Sequence, residues 1–287
     1  MLRKLLDKAE KIILNNEKLK KFYPLHDALD TFLYSTNAQT ENAPYVRDSI
    51  DLKRTMIFVV LALMPAFLFG TYNVGLQANI DNPNLISCFF YGLKIVLPMY
   101  IVVFSVGGLC EAIFAVFRNH EINEGFLVTG FLIPLTMPPT VPLWMLAVAT
   151  IFGVVIGKEI FGGTGYNIFN PALISRAFLF FAYPKYMSGI NPWVNHPNIN
   201  GVTSATPLLE TTELSSHSDL SYSYYDMFMG YIPGSIGETS TFCILLGAAF
   251  LIITGIGSWR IMLGSCIGMI ITSLLLNQIG SDNPMVN

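Results

Sequence analysis

Charge is what this sequence has least of. Only 12% of its 287 residues are Asp, Glu, Lys or Arg, where an ordinary soluble domain carries about 25%. So few charges cannot solvate a globule of this size, which excludes a typical soluble enzyme. The formal net charge of −3 leaves no basic excess to neutralise phosphates, so nucleic acid is excluded as a partner. Cysteine is scarce as well. Cys88, Cys110, Cys243 and Cys266 form no CxxC, zinc or iron–sulfur pattern, no two lying closer than 22 residues, and they read as buried packing residues. The four histidines are equally scattered, which argues against a His-based metal site. Neither a P-loop nor a GxGxxG fingerprint occurs, so a dinucleotide would have to bind elsewhere.

What is abundant is apolar. The hydrophobic share is 53% and the mean hydropathy is +0.53. The charges that exist are crowded forward, with 18 of the 35 in residues 1–54. There, Leu2, Leu5, Leu6, Ala9, Ile12 and Ile13 recur at helical spacing among charged residues. That pattern predicts an amphipathic helix on a membrane surface or on a partner protein, and it lacks the apolar core of a cleavable signal.

Seven apolar stretches follow, at about Thr55–Tyr72, Leu85–Phe117, Gly125–Met137, Pro142–Ile156, Pro171–Tyr183, Thr241–Ile256 and Ile261–Leu276. A straight crossing needs about 20 apolar residues. The second stretch is longer than one perpendicular span and contains Pro98; the third and fifth are too short to cross. Short apolar pieces edged by Gly, Pro and Asn are the mark of broken helices in transporter-like folds. The expected fold is therefore an all-α polytopic membrane protein. Its parts are a cytoplasmic region 1–54, a membrane repeat 55–183, an extracytoplasmic loop 184–240 and two further spans in 241–287. Lys53, Arg54, Arg118, Lys158 and Arg260 fall on one side of this alternation, which places the amino terminus in the cytoplasm and the long polar loop outside.

Four places invite chemistry. Glu111 lies inside the second apolar run, where a carboxylate costs about 2.5–3.5 kcal/mol; it either faces a cavity or cation, or reaches the headgroups near Arg118. Gly107 and Gly108, one turn earlier, leave room for close helix packing or for a flat ligand. Lys94 can snorkel, and Glu121 and Glu124 suit a helix start, with cation uptake as their alternative role. The stretch from Lys158 to Ala172 is dense in Gly and Asn, and its Gly163, Thr164, Asn167 and Asn170, with Arg176 just beyond, suit a cavity-lining turn that binds a polar heterocycle or phosphate. In the outer loop, the run Asn200-Gly-Val-Thr-Ser-Ala-Thr-Pro-Leu208 presents an accessible hydroxyl at Thr206.

These stretches carry a resemblance. Ala43–Arg54, Tyr72–Gln77, His120–Gly125, Gly162–Ala172, Arg176–Pro184 and Ile232–Glu238 together resemble the B-subunit (NqrB) family of the sodium-translocating NADH:quinone oxidoreductase, over essentially the whole chain. The resemblance implies FMN bound to Thr206 through a phosphoester, attached by an extracytoplasmic flavin transferase. The family's attachment motif is Asp, two residues, Ser or Thr, Gly, Ala, Thr. Here Thr203, Ser204 and Ala205 precede the acceptor Thr206, with Asn200 in place of Asp and Ser204 in place of Gly. It also implies a non-covalent riboflavin, a quinone pocket at Gly107 and Gly108, sodium uptake through Glu111, partner subunits that oxidise NADH, and residence in the bacterial inner membrane. RnfD, the corresponding member of the related Rnf-type ferredoxin:NAD oxidoreductase, is the nearest alternative, and a flavin-free solute channel or carrier is the alternative of another class. The family has ten spans in two inverted halves, and this sequence reaches only the seventh. The expectation is a partial sequence, and a chain that ended there would not pump.

Overall fold

A computed structural model describes residues 2–15, 23, 26, 52–78, 84–118, 125–189, 192–195, 205–213 and 221–279. Among them all regular structure is helical: α1 (Leu2–Asn15), α2 (Leu52–Gln77), α3 (Leu85–Arg118), α4 (Gly125–Leu135), α5 (Leu143–Gly157), α6 (Pro171–Ala182), α7 (Pro207–Glu213), α8 (Tyr224–Met229), α9 (Thr241–Ile253) and α10 (Trp259–Ile279), with 3-10 turns at Glu159–Phe161 and Pro184–Tyr186. Each of the seven apolar stretches became one helix. Four segments, Arg54–Gln77, Leu85–Arg118, Leu143–Phe161 and Trp259–Ile279, are long and apolar enough to cross a membrane. The helices α4, α6 and α9, of 11, 12 and 13 residues, are too short for a straight crossing. The sequence had marked only two of these; α9 stops at Ile253, before the glycines Gly255 and Gly257.

Pro98 lies inside α3 without ending it. At α6, Pro171 takes the first helical position, where its missing N–H costs nothing, and Asn170 caps it, its side-chain oxygen accepting the Ala172 N–H at 2.9 Å.

The chain divides into two compact units. The first comprises Met1–Ile57, Met99–Ile133 and Leu143–Phe178. Aromatic packing knits it together: Phe104 meets Phe126 edge-on at 5.8 Å, Tyr100 tilts against Phe131 at 5.2 Å, and Phe152 stacks on Phe178 at 4.6 Å. The Tyr100 hydroxyl donates to the Phe131 carbonyl, which satisfies a polar tip that burial would otherwise penalise.

The second unit comprises Phe58–Pro98, Pro134–Pro142 and Leu179–Asn287. Here α2 and α3 approach within backbone contact, since a Cβ on Gly75 would sit 1.9 Å from the Cys88 carbonyl oxygen and one on Gly92 would sit 1.8 Å from that of Thr71. Residues 231–240, read from sequence as part of an extramembrane loop, are buried or half-buried in this unit except for the exposed Glu238. Ile236 is buried, its N–H donates to the Met137 carbonyl, the Gly237 N–H donates to the Leu135 carbonyl, and Asn73 Nδ2 donates to the Ile232 carbonyl. The polar look of that segment comes from backbone-paired Ser and Gly rather than from solvation.

Two of the four cysteines match their reading as core residues. Cys88 and Cys243 are buried, Cys110 is half-buried, and Cys266 is exposed. The exposed Cys266 lies on α10, where Ser273 is the one buried residue.

Candidate functional site

Within the first unit, charge collects where α3 ends and α5 gives way to its following turn. Glu111 of α3 is 4% exposed and Lys158, the residue after α5, is 2% exposed. The Lys158 ammonium donates to Glu111 Oε1. The headgroup-reaching alternative for Glu111 therefore does not describe this fold, and Lys158, counted from sequence as a loop residue that sets orientation, is instead turned into the interior. Breaking such a buried pair by removing one partner typically costs about 3–5 kcal/mol, although the pair itself need not be net stabilising.

A second pair lies beside it. Glu159, on the 3-10 turn, is 2% exposed, and its Oε2 sits 3.8 Å from the Arg118 guanidinium with no hydrogen-bond donor. Arg118 also lies over the Phe114 ring. Sequence reasoning missed Lys158 and Glu159 as site residues. The available signal was that an intramembrane carboxylate requires a cation, and Lys158 is the basic residue that opens the Gly- and Asn-rich stretch.

That stretch forms an irregular loop after the turn. Gly163 and Gly165 both have φ of +93°, a backbone state that side-chain-bearing residues seldom adopt. The loop borders a cavity of about 320 Å³ lined by Met56, Gly125, Val128, Thr129, Leu132, Lys158, Thr164, Asn167, Ile168, Phe169, Asn170 and Pro171. Such a mixture of apolar walls and a few polar groups is what small-ligand sites use. Of the five residues expected around a heterocycle, Thr164, Asn167 and Asn170 line the cavity. Gly163 shapes its loop, and the half-buried Arg176 lies on α6 outside the lining.

The residues fit a polar heterocycle. Thr164 Oγ1 is buried without a partner, and Asn170 commits only its Oδ1, to the α6 cap. By contrast Asn167 is spent locally, its Oδ1 accepting the Gly165 N–H and its Nδ2 donating to the Phe169 carbonyl.

Gly107 and Gly108 do not border this cavity. A Cβ on Gly107 would meet the Phe126 ring at 2.5 Å and Thr150 at 3.2 Å, so that position serves close helix packing; Gly108 would meet only the Phe126 edge, at an ordinary 3.8 Å.

In the second unit, Thr206 is half-buried at the start of α7. Its hydroxyl oxygen accepts the Leu209 N–H at 3.3 Å, and its carbonyl accepts the Leu209 and Glu210 N–H groups. Among the described residues nothing accepts the hydroxyl proton, so the group is open to phosphoester formation. The preceding Ala205 carbonyl accepts the Tyr222 hydroxyl at 3.4 Å. Thr203 and Ser204 of the attachment motif lie outside the described residues, as do Asn200, Glu121 and Glu124. Lys94 is exposed, as snorkelling requires.

Among the described residues no cluster of three or more His, Cys, Asp and Glu would hold a metal ion. Fold and site together define a multi-pass helical membrane protein whose ionisable interior groups gather beside a ligand-sized cavity. The chain matches the NQR2, RnfD, RnfE family over residues 39–287 and belongs to it. It is 48% identical to a protein of Chromohalobacter salexigens, covering 99% of this chain and 75% of that relative. It is 45% identical to one of Pseudomonas aeruginosa, over 99% and 77%, and 44% identical to one of Yersinia pestis, over 99% and 78%. All three relatives are named as the B subunit of Na(+)-translocating NADH-quinone reductase.

Proposed function

We propose that this chain is a membrane subunit of a sodium-translocating NADH:quinone oxidoreductase, in which it relays electrons towards quinone while sodium crosses the bacterial inner membrane. The observation that carries this reading is the 44–48% identity, over 99% of the chain, to relatives that bear that name. NADH oxidation falls to a partner protein of the complex, in keeping with the missing dinucleotide fingerprint.

Thr206 bears FMN as a phosphoester, with Thr203, Ser204 and Ala205 as the motif read by a flavin transferase. Its hydroxyl proton, uncommitted among the described residues, supports that assignment. The cavity beside Lys158 takes a non-covalent riboflavin, with Thr164 and Asn170 as the groups best placed to bind it, Gly163 and Asn167 shaping the loop, and Arg176 supplying positive charge on the adjoining helix. Flavins supply one-electron redox chemistry, and the protein's part is to bind, orient and tune them. Val128 and Leu132 give that site apolar surface, and the exposed Ile168 and Phe169 also border it. Quinone approaches α3 at the Gly107–Gly108 turn, where Gly108 is the less crowded position, and Glu111 belongs to the sodium path. Membranes of cells that make this chain should reduce quinone with NADH faster when sodium is added, and disruption of its coding sequence should abolish the sodium-stimulated fraction. An unchanged stimulated rate would contradict the assignment.

A further inference from the structure

We infer that Lys158 is a tethered cation that holds the place of the transported ion on Glu111, and that displacement of its ammonium toward the adjoining cavity opens that carboxylate to a monovalent cation. The inference rests on the reading that Glu111 lies on the sodium path, and it adds what keeps that path closed.

Three observations carry it. Lysine at the end of an apolar helix ordinarily extends its ammonium to water, whereas Lys158, one residue past α5, is 2% exposed and bonded to Glu111. An ammonium has three donors, and among the described residues Glu111 is the only group that accepts from the Lys158 ammonium. The same side chain also lines the cavity, next to Thr164, whose Oγ1 is buried without a partner. The ammonium therefore has one firm acceptor and a polar space beside it.

Charge balance gives this arrangement a consequence. Among the described residues the charges paired here are Glu111, Glu159, Lys158 and Arg118, which sum to zero. A sodium ion added while Lys158 stays in place would leave an uncompensated positive charge in a low-dielectric interior, which is prohibitive. Lys158 must leave Glu111, and the cavity it also lines, beside the unpartnered Thr164 Oγ1, gives its ammonium a polar place to go. Sodium and Lys158 thus compete for one carboxylate.

The test titrates sodium into the purified, non-turning-over complex while following the infrared carboxylate bands. Lys158→Met removes the competitor and keeps the stem, so half-saturation should fall roughly ten-fold, an ordinary coupling magnitude. Lys158→Arg substitutes a guanidinium that grips a carboxylate through two parallel hydrogen bonds, so half-saturation should rise. The Arg variant keeps the charge and decides the matter even where the Met variant fails to assemble. Half-saturation that is unchanged or raised in Lys158→Met, or unchanged or lowered in Lys158→Arg, overturns the competition, and Glu111 keeps its sodium role provided Glu111→Gln abolishes the response. A wild-type response in Glu111→Gln instead removes Glu111 from the sodium path and the inference with it.

Discussion

Glu111 shows what a single residue reveals before and after folding. Its cost inside an apolar run was legible in the sequence, but its partner was not, because Lys158 is 47 positions away and looks like a boundary charge. On the sodium-path reading, Glu111→Ala should weaken the sodium dependence of quinone reduction, measured as the ratio of rates with and without the ion; an unchanged ratio would remove the residue from the path. The neighbouring glycines separate by crowding. Gly107→Ala drives a methyl into Phe126, which is 8% exposed. Overpacking typically costs about 1–3 kcal/mol, more than the roughly 0.5–1 kcal/mol that alanine returns to a helix. Thermal melting of the detergent-solubilised protein should therefore show a lowered Tm for Gly107→Ala and a Tm near or above wild type for Gly108→Ala. Equal losses would mean that the two positions are packed alike.

At the scale of elements, the apolar stretches predicted the helices because length and hydropathy alone decide where a buried backbone must bond to itself. Residues 231–240 escaped that logic. Their hydrogen bonds go to the Asn73 side chain of α2 and to backbone carbonyls at and just past the end of α4, pairings that no local pattern encodes. The loop between α5 and α6 was legible as irregular from its glycines, while the cavity beside it was not, because Met56, Val128 and Leu132 arrive from other parts of the chain. Within that loop Asn170 has two duties on this account. Asn170→Ala should cost about 0.5–2 kcal/mol through loss of the α6 cap and should also lower the non-covalent flavin content of the purified protein. Gly165→Ala meets no atom within 4 Å, so its penalty is the positive φ alone, about 1–2 kcal/mol, and a flavin loss as large as that of Asn170→Ala would contradict the assignment of Asn170 to binding.

Across the whole molecule, the distribution of charge first indicated a membrane protein and then its orientation. On the reading that the amino terminus is cytoplasmic and the α7–α8 region outside, a thiol at the exposed Tyr225 should react with a membrane-impermeant reagent in intact cells. One at the exposed Ile12 of α1 should react only after permeabilisation. A background lacking the four native cysteines makes the pair interpretable, and the reverse pattern would invert the topology and move Thr206 to the wrong side for its transferase. The large apolar side chains exposed along α10, among them Ile261, Leu263, Ile267 and Ile270, form the kind of surface that water does not tolerate in bulk and that a bilayer or a packed partner protein does. The central claim is that this chain carries a flavin on Thr206. Its most direct test is to co-express the chain with a flavin transferase, separate the denatured proteins on a gel and read flavin fluorescence at the band. The account predicts a fluorescent wild-type band and a dark Thr206→Ala band; a dark wild-type band, or a Thr206→Ala band of equal brightness, would contradict it.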